Sequence, residues 1–240
     1  MNEVEKYLNY CVKIAKNGES RVSPNPLVGS IIVHKDQIIA EGWHQYYGSD
    51  HAERMALSRV RSQDKSLLSQ SQLYVTLEPC NHYGQTPPCT DIIVESGIKE
   101  VIFGSYDINP KMQGKSIDYL KSKGINVIGP FPNNMELVNL NKTFETNIND
   151  LRPYIILKWA QSYDHFIGNA KARIKISNQY TDSLVHKWRS EVDGILIGRK
   201  TIESDHPKLN TRFWTGKNPK KYILSNQFMN TESKIDYDDF

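Results

Sequence analysis

Between Val4 and Ile128, helix-patterned and strand-patterned stretches follow one another in near alternation, and this order constrains the fold more than any single residue does. Such alternation builds an α/β sheet with helices packed on its faces. Val4, Leu8, Cys11, Val12 and Ala15 recur at helical spacing. Asn2 is placed to cap this helix and Gly18 to end it. Cys11 lies on the apolar stripe and reads as a small core residue. GSIIVHKDQIIAEGWH reads as two strands joined at Lys35-Asp36. The spacing then predicts a helix over 51–61, with Ala52, Met55, Ala56 and Val60 apolar, and a short strand over 73–77. A helix follows from Pro88, whose fixed φ suits a first turn, to Gly97. EVIFGSYD is a strand, 116–123 a helix, INVIG a strand, and 135–146 a closing helix. NINDLRP reads as a linker. A second α/β pattern follows, with strands RPYIILKWA, VDGILIG and KKYILSN and a helix QYTDSLVHKWRSE. The expected division is residues 1–147 and 152–240. There is no internal repeat, and the acidic KIDYDDF end is weakly structured on composition.

Composition excludes several classes. Hydrophobic residues make up 38% and charged residues 24% of the 240, both ordinary for a soluble globular chain. No apolar run approaches the roughly 20 residues that span a bilayer, so no membrane partner is expected. The first twenty residues are polar and periodic and lack an apolar signal core, which points to the cytoplasm. Three cysteines are too few for a disulfide scaffold. A net charge of +3 is too small to argue for nucleic acid. The charge is uneven: residues 1–151 carry 15 basic and 17 acidic side chains, and residues 152–240 carry 15 and 10. A basic second part suits a phosphate-bearing ligand, although a solvated basic face is the commoner reason.

Chemistry concentrates in His51-Ala52-Glu53 and in Cys80 and Cys89, with eight residues between the two cysteines. The cysteines could be a redox pair, buried thiols, part of a closed four-ligand metal site with His44 or His82, or two ligands of a catalytic metal. Their positions favour the last. His51 and Glu53 stand at a helix start, Cys80 follows a strand end, and Cys89 follows Pro87-Pro88 at another helix start. Strand ends and helix N-termini are where α/β sheets carry sites, and a helix N-terminus favours a thiolate over a thiol. Zinc deaminases carry H-x-E followed by P-C-x-x-C, with the glutamate a proton shuttle and not a ligand. H-A-E and E-P-C match, but NHYGQTPP must loop out to return Cys89 to the metal. The expected chemistry is an activated water attacking a ring carbon that bears an exocyclic amine, with Glu53 moving the proton.

SPNPLVGSIIV, GWHQYYGSDHAE and TLEPCNHYGQTPPC together resemble the bifunctional deaminase/reductase family of riboflavin biosynthesis. The PNP-x-VG element and the long C-x8-C loop ending in TPPC carry the likeness. RPYIILKWAQSYD, VHKWRSEVDGILIGRKTI and DHPKLNTR look like the start of that family's reductase domain. The resemblance implies a three-layer cytidine-deaminase-like zinc domain followed by an incomplete dihydrofolate-reductase-like α/β domain. It implies deamination of diaminohydroxyphosphoribosylaminopyrimidine, then NADPH-dependent reduction of the ribosyl group to ribityl. By the same resemblance His51, Cys80 and Cys89 bind zinc and Glu53 is catalytic. Asn25 and His44 line the pyrimidine pocket, and Asp107 and Asn109 contact the ribose phosphate side. In the second part Ala160, Lys175, Thr201 and Asp205 fall where the family contacts NADPH. Arg173, Arg189, Leu209 and Arg212 fall where it contacts the reductase substrate. A homo-oligomer is implied as well. The chain departs from the family at Ser162-Tyr163-Asp164-His165, at Gln85, where a basic residue is common, and at Lys175, where a Trp is usual. The family's reductase domain continues past the end of this chain and there receives the cofactor phosphates in a Gly-rich loop. The chain is therefore expected to be a fragment that binds NADPH poorly. A nucleoside or tRNA-editing deaminase of the same fold and a zinc-stabilised binding protein without catalysis are the competing readings. The slight acidity of residues 1–151 counts against an RNA substrate.

Overall fold

Lys35 and Asp36 both adopt the left-handed conformation, with φ of 45° and 63°. That is the backbone a two-residue hairpin of the favoured hand requires. It joins β1 (Gly29–His34) to β2 (Gln37–Trp43). The structure is a computed structural model that describes residues 2–84, 86–109, 112, 114–169 and 174–226. The chain divides into two units, Met1–Ile155 and Ile156–Phe240.

In the first unit β3 (Gln72–Leu77), β4 (Glu100–Ser105) and β5 (Asn126–Ile128) complete a five-stranded sheet of order β2-β1-β3-β4-β5. β1 pairs antiparallel with β2 and β3, while β3–β4 and β4–β5 are parallel. Strand periodicity sorts the side chains onto two faces. Ile32, Leu73, Val75, Val101 and Phe103 point to one, where α2 (Ala52–Ser58), α3 (Cys89–Ser96) and α4 (Lys115–Ser122) cover them with Ala56, Ile93 and Leu120. Ile31, Val33, Tyr74 and Ile102 point to the other, against α1 (Glu3–Ala15) and α5 (Met135–Leu140) through Leu8, Val12 and Leu137. The result is the three-layer α/β/α arrangement of the expected fold class. Cys11 is fully buried within the α1 layer.

Local chemistry explains the element ends. Asn2 caps α1 in a reciprocal box with Glu5, each side chain taking the other's backbone N–H. Gly97 ends α3 at φ 80°, a conformation that costs glycine nothing. The expected helix over 135–146 is instead two helices, α5 and α6 (Lys142–Asn149), broken at Asn141 with φ −116° and ψ 24°. The reason is tertiary. The buried Asn141 amide receives the Leu27 N–H at 2.8 Å and donates to the Leu27 carbonyl at 3.0 Å. It thereby clamps the backbone beside the Asn25-Pro26 turn. A 3-10 segment over Ser62–Gln70 before β3 had no signal in the sequence reading.

The second unit carries α7 (Gln179–Glu191), β6 (Gly194–Gly198), α8 (Arg199–Asp205) and β7 (Lys220–Leu224). β6 and β7 pair in parallel, so α8 lies on the connection between parallel strands. Asn178 caps α7 by receiving the N–H groups of Tyr180 and Thr181 at 3.0 Å. The strand expected over RPYIILKWA is not formed. Residues 153–160 are irregular and exposed, with Ile155 67% and Leu157 78% accessible. Composition favours a strand, but a strand exists only with a neighbour to take its N–H and C=O groups. Among the described residues, none pairs with this segment.

Candidate active site

His51, Cys80 and Cys89 arrive from three separate elements. His51 is the N-cap of α2, Cys80 follows β3, and Cys89 opens α3 after Pro88. α2 reaches β2 closely because Gly42 has no side chain. A Cβ there would meet the Ala52 carbonyl and the Ala56 nitrogen at 2.4 Å. His51 Nδ1 stands 3.4 Å from Cys80 Sγ and 3.3 Å from Cys89 Sγ. The three ligand atoms all lie within 4.8 Å of one another. The Cys89 N–H donates to Cys80 Sγ at 3.2 Å, and the Thr90 N–H to the Cys80 carbonyl at 3.2 Å. The long C-x8-C loop thus closes on itself.

The electrostatics favour a thiolate here. The Cys89 thiol donating to Cys80 pulls the latter down to about 4 against the opposing effect of burial, with His51 helping. Cys89 is pushed up, first by holding its proton toward Cys80 and then by burial. Glu53, only 3% exposed one position beyond Ala52, is pushed up to about 7 by burial and by the neighbouring Cys80 charge. Two thiols, an imidazole and a buried carboxyl in one place fit a three-ligand metal with a free position. The four-ligand alternative is not assembled among the described residues. His44 Nε2 faces the Asn25 amide nitrogen at 3.1 Å and its Nδ1 faces the Asp50 carbonyl at 3.1 Å. His82 turns Nδ1 toward Met112 Sδ at 3.1 Å. Cys80 and Cys89 are not joined in a disulfide.

A cavity of about 250 Å³ opens onto this group. Asn25, His44, Asp107 and Asn109 all line it together with His51, Glu53 and Cys80. If His44 Nδ1–H donates to Asp50, Nε2 accepts from Asn25, so the pair holds one tautomer. Burial also lowers the His44 pKa, keeping the ring neutral. Asp107 Oδ1 receives the Asn109 N–H at 2.8 Å, and burial raises the Asp107 carboxyl. Glu78, Tyr47, Ser49, His82 and Thr86 line the cavity too. The sequence reading gave them no substrate role, although Glu78 stands inside the E-P-C motif itself.

In the second unit, Arg189 and Arg212 converge on Asn210: Arg189 Nη1 donates to its backbone carbonyl at 3.1 Å and Arg212 Nη1 to its side chain at 2.9 Å. Leu209 is buried beside them with φ 52°. Burial, and then Arg212, lowers the Arg189 pKa. Lys175 pairs with Asp182 at 2.6 Å. Ala160 is exposed on the irregular segment, and Thr201 and Asp205 are exposed on α8. Arg173 lies outside the described residues.

A three-layer sheet with H-x-E at one helix start and two cysteines at the neighbouring strand and helix ends defines the cytidine-deaminase-like class of zinc-binding folds. The family described as cytidine and deoxycytidylate deaminase zinc-binding region matches residues 1–105, and the RibD C-terminal domain matches residues 153–236. The chain belongs to the RibD family of riboflavin biosynthesis proteins. Riboflavin biosynthesis protein RibD of Aquifex aeolicus is 39% identical over 228 residues, covering 93% of this chain and 62% of that protein. The diaminohydroxyphosphoribosylamino-pyrimidine deaminase of Buchnera aphidicola subsp. Schizaphis graminum is 50% identical over 121 residues, covering 50% of this chain and 80% of its own length. The crystal structure of the Thermotoga maritima diaminohydroxyphosphoribosylaminopyrimidine deaminase/5-amino-6-(5-phosphoribosylamino)uracil reductase superposes with a TM-score of 0.84 at 38% identity, covering 92% of this chain and 63% of that one. The chain spans about three fifths of the length of the RibD relatives that it matches throughout.

Proposed function

We propose that this chain deaminates diaminohydroxyphosphoribosylaminopyrimidine hydrolytically, with His51, Cys80 and Cys89 holding zinc and Glu53 carrying the proton. The observation that carries the proposal is one imidazole nitrogen facing two sulfurs at 3.3 and 3.4 Å, with a buried carboxyl beside them on a cavity wall. The relatives' names supply the substrate class.

Bound zinc supplies Lewis acidity that brings a water's pKa from roughly 16 to about 7. The protein does the rest. Glu53 takes one proton from the attacking water and passes it to the ring nitrogen, then takes the second from the newly added hydroxyl and passes it to the amino group, which leaves as ammonia. A buried carboxyl can both accept a proton and return it in the same pocket. Asn25 and the neutral His44 hold the pyrimidine edge, and Asp107 and Asn109 face the ribose phosphate side. In the second unit, Arg189 and Arg212 around Leu209 offer forked donors to a phosphate. Arg173 joins them by resemblance, and Ala160, Lys175, Thr201 and Asp205 are assigned to NADPH in a reduction of ribosyl to ribityl. The same reading makes the chain a homo-oligomer, which sedimentation measures.

The test is the purified chain with the diaminopyrimidine phosphate, following ammonia release, zinc content and NADPH oxidation separately. Glu53→Gln should retain zinc and lose ammonia release by about 10²–10⁴-fold. Activity that survives this substitution ends the role given to Glu53. Zinc without turnover in the parent chain ends the deaminase reading.

A further inference from the structure

We propose that Glu78 is a positioning residue of the deaminase site, holding the Asp107–Asn109 wall in place relative to Cys80. The inference rests on the deaminase reading above. β3 and β4 run parallel, and their last paired residues are Leu77 and Ser105. Beyond that pair no ladder joins the two strand exits, yet one exit carries Cys80 and the other carries Asp107 and Asn109. Glu78 takes over where the ladder stops. Its N–H donates to the Ser105 carbonyl at 2.8 Å. Its carboxylate, 3% exposed, receives the Ser116 hydroxyl at 2.6 Å on Oε1 and the Asp107 N–H at 3.4 Å on Oε2. Ser116 is itself fully buried near the start of α4. The start of α4 and the exit of β4 are therefore both tied to one side chain two positions before Cys80. The Asp107 carboxylate passes the constraint on by receiving the Asn109 N–H at 2.8 Å. A buried carboxylate beside a second carboxyl is an expensive way to fill space, and what it supplies is two strong acceptors at fixed positions.

Substitution separates this role from its alternatives. Glu78→Ala removes both acceptors, and KM for the diaminopyrimidine phosphate should rise about tenfold while kcat and zinc content hold. Glu78→Gln should restore KM, because its amide oxygen accepts from Asp107 and its nitrogen donates to the Ser116 hydroxyl. A Gln variant as impaired as Ala would mean that the negative charge meets substrate directly, and would overturn the proposal. A fall in kcat and zinc content at unchanged KM would reduce Glu78 to general structure, and would also overturn it. Amide exchange at Asp107 and Asn109 in the zinc-loaded chain provides an arm that needs no turnover. Ser116→Ala, which leaves Glu78 in place, should speed that exchange severalfold, and unchanged exchange counts against the proposal should Glu78→Ala not fold. A parent chain that releases no ammonia sinks the deaminase reading, whereas the exchange arm decides the role of Glu78 independently.

Discussion

Glu53 shows how one buried side chain couples chemistry to stability. Its carboxyl, ordinarily near 4.5, is pushed up to about 7 by burial and then by the Cys80 thiolate. Unfolding returns it to its ordinary value. Between those two pH values the folded chain therefore binds more protons than the unfolded chain, and stability falls as pH rises through the window. Glutamine carries no such charge. With metal chelated, the stability advantage of Glu53→Gln over the parent should widen from pH 4.5 to pH 7.5. It should reach on the order of 2–3 kcal/mol, read from urea midpoints. A gap that narrows over that range would show that Glu53 is not buried as a neutral acid. Cys80 contrasts with it at the same scale. The residue type was legible in the sequence, but its thiolate character comes from Cys89 at the far end of the loop and from His51, 29 positions back in the chain.

At the scale of elements, the site depends on how closely α2 approaches the sheet. Gly42 permits that approach, since any Cβ would strike the α2 backbone at 2.4 Å. Backbone cannot yield as a flexible side chain would. Gly42→Ala should push α2 outward, carrying His51 and Glu53 away from Cys80 and Cys89. The expected result is a cost of about 1–3 kcal/mol and a clear loss of zinc per chain, measured by metal analysis after dialysis. Full zinc occupancy would show that α2 adjusts without moving its first turn. Asn141 works at this scale from the opposite side. It breaks a helix in order to grip Leu27, two residues beyond Asn25 on the cavity wall. The helical pattern of 135–146 was readable. The break was not, because its cause is a partner 114 positions away.

For the whole molecule, two different family models match the two parts of the chain, residues 1–105 and residues 153–236. The Buchnera relative is named as a deaminase alone and matches 121 residues of this chain across 80% of its own length. The first unit has its own sheet, both its helical layers and the His51, Cys80 and Cys89 cluster. A chain of residues 1–155 should fold, bind one zinc and release ammonia at a rate within a few-fold of the 240-residue chain. Loss of zinc binding on truncation would show that the second unit supports the first. No helix among the described residues is long and apolar enough to cross a membrane.

The sequence by itself determined what depends on residue type and short-range order. The hairpin at Lys35-Asp36, the Asn2 cap, the Gly97 stop and the alternation of strand and helix all arise within a few residues, where local pattern and hydrogen bonds decide. The convergence of His51, Cys80 and Cys89 was readable for the same reason, since each sits at the boundary of a predictable element. Tertiary structure alone decided the rest. Residues 153–160 have the composition of a strand but no partner among the described residues, and partners are long-range. Asn141 is an ordinary helix residue until Leu27 reaches it. Glu78 reads as one letter of a motif, and only the parallel pairing of β3 with β4 brings Ser116 and Asp107 to its carboxylate. Residue chemistry is written locally, whereas pairing is a property of the assembled sheet.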